Sequence, residues 1–123
     1  MDSIFIYIIQ AIIFFGILNV WLIRVNKKTN YRGGTAKNLQ EEFNVYGYPY
    51  WFFYLVGVLK ILFALCIGVG HWIQMLLPIG ALGMSILMLG AIFSHFKVHD
   101  TLIKFIPASI MLFLSLFLLS SSI

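Results

Sequence analysis

Four long apolar runs, parted by short polar stretches, dominate the pattern of this chain. They cover residues 4–23, 49–69, 72–96 and 102–119. Crossing the hydrocarbon of a bilayer takes about 20 mainly apolar residues at about 1.5 Å of rise each, and all four runs meet that length. The joints between the last three are short, so consecutive helices there run antiparallel. The pattern predicts an all-α fold, a four-helix transmembrane bundle forming one integral membrane domain over residues 1–123.

The stretch between the first two runs has a different period. In TAKNLQEEFNVYGYPYW, Ala36, Leu39, Phe43 and Tyr46 recur at helical spacing, with Lys37, Gln40, Glu41 and Asn44 on other faces. This predicts a short amphipathic helix over about 35–46 at the membrane interface. Gly33-Gly34 give it a flexible entry, Gly47 suits a left-handed C′ position, and Pro49 is tolerated in the first turn of the next helix. Tyr46, Tyr48, Tyr50 and Trp51 form an aromatic cluster at headgroup level, with Trp72 at the far side. Such a helix acts chiefly as an anchor that fixes depth; the sharper alternative is a lid over a cavity between helices.

Composition agrees. The chain is 62% hydrophobic and only 10% charged, whereas a soluble domain keeps about a quarter of its residues charged. The net charge of +4 is uneven. Arg24, Lys27, Lys28, Arg32 and Lys37 fill the first loop, Lys97 and Lys104 flank the third, and the second, GVGHW, has no basic residue. Basic residues gathered at the ends of apolar runs mark topology and not nucleic-acid binding. They put both basic loops on the cytoplasmic side and both termini on the other. The opening MDSIF is acidic and no small-residue cleavage site ends the first run, so that run reads as a retained helix. Cys66 is the single cysteine and reads as a packing residue.

One residue interrupts the apolar pattern. In VGVLKILFAL, Lys60 stands near the middle of the second span, about 16 Å from one end and about 14 Å from the other and beyond easy snorkelling. A central lysine costs about 2.5–3.5 kcal/mol to insert. Gly57, Lys60, Ala64 and Gly68 share one stripe, and small residues mark close helix contact, so Lys60 faces the bundle interior. Gly80, Gly83, Leu87, Gly90 and Ser94 form a matching stripe on the third span, whose outer half Pro78 and Gly80 should loosen. Gly16 and Asn19 share a face of the first span, and Gln10 and Tyr7 add polar groups there. A polar pocket of Lys60 with Asn19 and with Ser85 or Ser94 follows as an expectation, with Glu41 or Glu42 as counter-charge. In the structural reading, carbonyls, Asn19 or one of these carboxylates hold the lysine. In the functional reading it binds an anionic or carbonyl-bearing ligand. His95 and His99, four apart, are weak metal candidates, since i,i+4 histidines share a helix face; helix-end capping is the commoner role. Nothing resembles a phosphate loop, a nucleophile elbow, a cysteine pair or a haem site, so no catalytic residue and no cofactor emerges.

Four segments together resemble the DoxX-like family of small four-helix membrane proteins: EEFNVYGYP, VGVLKILFAL, LGAIFSH and HFKVHDTLIKFIPA. SHFKVHDTLIKF is also distantly similar to the vertebrate chaperone of nicotinic acetylcholine receptor assembly. In the family, a glutamate commonly occupies the position that is Lys60 here, after Gly57. The resemblance implies a polar hub at that position and a loose association with quinone chemistry or oxidative-stress protection. The expectation is a non-enzymatic accessory protein. It binds a quinone or lipid amphiphile at Lys60, with Asn19, Glu41 and Glu42 as accessories, or helps a membrane partner assemble. The alternatives are a quinone-linked oxidoreductase subunit and a small transporter working as a homo-oligomer. A prokaryotic inner membrane is the expected home.

Overall fold

The computed structural model describes residues 3–23, 36 and 38–122. Helix α1 spans Ser3–Leu18 and runs on through a single π-helical turn, Asn19–Ile23. Short α2 covers Leu39–Tyr46, followed by α3 (Tyr50–Val69), α4 (Leu76–Lys97) and α5 (Leu102–Ser122). Four of these helices are long and apolar enough to cross a bilayer. The chain is an integral membrane protein built as a four-helix bundle with a short fifth helix. The basic residues of the first loop, its glycine pair and the first residue of the predicted 35–46 helix lie outside the described residues.

Packing closes a ring. α1 meets α3, α3 meets α4, α4 meets α5, and α5 returns to α1. Its interior holds Ile13, Ile17, Ala64, Ile67, Ala81, Met84, Ala108 and Leu118. Large apolar side chains also point outward, Phe113 being 80% exposed, as a surface bathed in lipid tails requires. Where acyl chains are as apolar as leucine, close contact and hydrogen bonds hold helices together. The bundle shows both: a Cβ on Gly83 would fall 2.5 Å from the Phe63 ring, and the Gln10 amide donates to the Ile67 carbonyl at 2.8 Å.

Several boundaries differ from expectation for local reasons. α2 starts at Leu39 because Asn38 caps it: its side chain accepts from the Glu41 amide at 2.8 Å and donates to the Glu41 carboxylate at 3.0 Å. α4 begins at Leu76, after a turn in which the Trp72 amide bonds the Val69 carbonyl at 2.9 Å, and not at Trp72. This start leaves Pro78, which has no N–H to give, in the first helical turn, where none is needed. α5 runs to Ser122 rather than 119. The expected α4 stripe breaks as well. Gly80 and Gly83 meet α3, but a Cβ on Gly90 would meet nothing within 4 Å.

Candidate functional site

Lys60 lies at the middle of α3, half-buried, with its Nζ 5.3 Å from the centroid of the Trp21 ring. Two local features bring Trp21 there. The first is register: Trp21, within the π turn, ends the buried line of Gln10, Ile13 and Ile17. The second is Gly57, one turn before Lys60, where a Cβ would fall 2.7 Å from the indole. The bare backbone is what admits the ring. Phe43 of α2 (centroid 5.9 Å) and Phe53 of α3 (5.3 Å) complete an aromatic wall around it. A desolvated cation–π contact contributes about 2 kcal/mol, comparable with the cost of a central lysine. Glu42 lies within electrostatic reach. Among the described residues, no carboxylate makes an ion-pair contact with the ammonium.

The other expected accessories separate. Glu41 is exposed and spent on capping α2. Asn19 is exposed on the outer face of α1 and does not join Lys60. At about 100° per residue it lies some 200° around the helix from buried Ile17. The line of Gln10, Ile13, Ile17 and Trp21, at spacings of three, four and four, was the signal for the inward face. Ser85 spends its hydroxyl on the Ala81 carbonyl at 2.7 Å.

α2 turns its apolar side into the bundle. Ala36, Phe43 and Tyr46 are buried, so the helix covers the aromatic wall rather than resting on lipid. A Schellman turn ends it: Gly47 at φ 84° donates to the Asn44 carbonyl, and Tyr48 to that of Phe43. The left-handed Gly47 agrees with the sequence. Two phenols then fasten this corner to α4. Tyr48 donates to Ser94 Oγ at 2.7 Å, which donates onward to the Gly90 carbonyl at 2.8 Å. The Tyr46 hydroxyl lies 3.3 and 3.4 Å from the two ring nitrogens of His95.

A second Schellman turn closes α4. His99 takes the left-handed position (φ 56°) and bonds the Phe96 carbonyl, while the Asp100 amide bonds that of His95. The chain thereby folds back until Asp100 Oδ2 meets His95 Nδ1 at 2.7 Å, with both side chains buried. Lys104 Nζ stands 3.7 Å from Asp100 Oδ1. The histidine pair is therefore not on one face: α4 ends at Lys97, His95 is buried, and His99 is exposed beyond it. Among the described residues, no group of three or more His, Cys, Asp or Glu is arranged to hold a metal. Burial holds the Tyr46 hydroxyl well above the usual tyrosine range, and Glu42, by its charge and a hydrogen bond, pushes the same way.

Toward the opposite end, the α1–α3 seam opens into an apolar groove of about 320 Å³ lined by residues including Phe14, Phe15, Leu65 and Gly68.

A profile of the DoxX-like family matches residues 31–118. No curated protein and no solved structure matches the chain.

Proposed function

The chain belongs to the DoxX-like family, and from that premise we propose an accessory membrane protein whose Lys60 site takes an amphiphile with an oxygen-bearing head, a quinone or a lipid. One observation carries the reading: the Lys60 ammonium rests on an aromatic face, with no carboxylate of the described residues in ion-pair contact. An ammonium so placed keeps its donors for a carbonyl or anionic oxygen. The apolar groove supports the same reading. Gly68, on its wall, is about 12 Å further along α3 than Lys60 at 1.5 Å per residue, so an acyl or prenyl chain has a path along one seam. The proposal sets the protein in a prokaryotic inner membrane with both termini on the non-cytoplasmic side, supported by the basic residues of the first and third loops.

Mass spectrometry of an organic extract from gently purified protein tests the ligand. A defined quinone or lipid should accompany the wild type and fall at least about tenfold in Lys60→Met, a loss of about 1.4 kcal/mol of binding, with helix content unchanged by circular dichroism. Bulk lipid alone, equal in both samples, would remove the ligand and leave assembly of a membrane partner as the role.

A further inference from the structure

The apolar groove at the α1–α3 seam carries one buried polar group that helix packing leaves half-used. α3 ends at Val69, and its last carbonyls need partners from outside the helix. The Gly70, His71 and Trp72 amides bond the carbonyls of Cys66, Gly68 and Val69 and pass over that of Ile67. Gln10 of α1 fills the gap, donating from Nε2 to the Ile67 carbonyl at 2.8 Å. A carbonyl only accepts, so the atom turned to it is the nitrogen, and the amide oxygen is left over. Among the described residues nothing donates to that oxygen, although Gln10 is only 5% exposed. Gln10 lies on the groove wall, so Oε1 is the atom this side chain has to offer there. Capping Ile67 explains the nitrogen and not the oxygen.

The rest of the wall sets what can meet it. Gln10 stands about 10 Å of helix rise in from Ser3, where α1 starts. The rings of Tyr7, His71 and Trp72 mark the outer end of the groove, His71 packing edge to face with Tyr7 at 4.5 Å and with Trp72 at 4.8 Å. Deeper than Gln10, Phe14 and Phe15 continue the wall as hydrocarbon. Among the described residues the wall holds no Asp, Glu, Lys or Arg, so a phosphate or carboxylate head would be unpaired at this depth. A volume of about 320 Å³ is at the lower end of the roughly 300–1,000 Å³ of small-molecule sites, room for one chain and not for the two tails of a phospholipid. A methylene laid against Oε1 would leave an acceptor unsatisfied in hydrocarbon, whereas a hydroxyl would satisfy it.

We propose that this groove is a binding site for a neutral, single-chain lipid headed by a hydroxyl. The hydroxyl donates to Gln10 Oε1, and the chain runs inward along Phe14, Phe15 and Leu65. The site goes beyond the Lys60 reading and does not rest on it. An amphiphile anchored at Lys60 brings only its tail to this groove, so the two ligands compete for the space and are recognised by different atoms: an ammonium that donates and an amide oxygen that accepts.

Three probes test the site, each with a diazirine in its chain: dodecanol, its methyl ether, which has no hydrogen to donate, and dodecyl phosphate. Each is photolysed with the protein in phosphatidylcholine nanodiscs, and the labelled residues are read by mass spectrometry. Dodecanol should label Phe14, Phe15 or Leu65 saturably. The ether should label them at least about fivefold less, because it leaves Oε1 unpaired, and so should the phosphate, whose charge finds no partner. Gln10→Met should erase the advantage of alcohol over ether with helix content unchanged. Ala11→Phe, on the same wall, fills the groove and keeps Gln10, and should abolish saturable labelling. Lys60→Met should label as the wild type does, which separates a failure here from a failure of the Lys60 ligand. Equal labelling by alcohol and ether in the wild type would overturn the site. So would an advantage that survives in Gln10→Met, or labelling that disappears in Lys60→Met. If Gln10→Met does not fold, the wild-type comparison and Ala11→Phe decide.

Discussion

His99 and Gly47 occupy equivalent C′ positions in two Schellman turns, yet only one of them is glycine. Among the described residues His99 is the one non-glycine with positive φ. The left-handed conformation costs an ordinary residue about 1–2 kcal/mol, of which glycine's extra unfolded-state entropy would return about half. His99→Gly should therefore stabilise the fold by roughly 0.5–1 kcal/mol, read as a shift in the thermal unfolding midpoint in bicelles. A loss would mean that the imidazole makes a compensating contact. This turn was hidden in the sequence because no glycine marks it, and a helix continued past Lys97 wrongly pairs His99 with His95. Gly47 carried the usual mark and was legible. Lys60 was legible as an anomaly, but its partner was not: Trp21 looks like any apolar residue of a span until the fold brings it over Gly57.

Between elements, the α1–α3 seam depends on close approach. Gly57→Ala would drive a methyl into an indole already packed against Phe43 and Phe53. We expect a loss of about 1–3 kcal/mol together with a shift in Trp21 emission. Unchanged emission would mean that the ring does not rest on Gly57. The existence of each long helix could be read from run length alone, since that information is local. α2 could be read from its apolar period and its Asn38–Glu41 cap. What it covers could not. Amphipathicity fixes which side of a helix is apolar, but not whether lipid or protein meets it, and here Phe43 and Tyr46 turn into the bundle. The contacts of His95 with Tyr46 and Asp100 are illegible for a related reason, since they exist only where α2, the end of α4 and the turn before α5 converge.

For the molecule as a whole, antiparallel packing sets the α4–α5 turn and the α3–α4 turn on opposite membrane faces. In a Cys66→Ala background, an impermeant maleimide applied to intact cells should label Gln74→Cys at once and Thr101→Cys only after permeabilisation. The reverse would invert the proposed orientation, and equal labelling would contradict the antiparallel arrangement. The meeting of Trp21 with Lys60 also depends on register in the first span. A π turn is an α-helix holding one residue too many. Deleting Asn19 or Val20 would shift Trp21 about 100° around the helix relative to the line of Gln10, Ile13 and Ile17. Gln10 and Trp21 could then no longer both face inward. A lost codon anywhere between Gln10 and Trp21 would leave hydropathy and span length almost untouched while parting Trp21 from Lys60, so this stretch should be far less tolerant of length change in evolution than the residues of α1 before it.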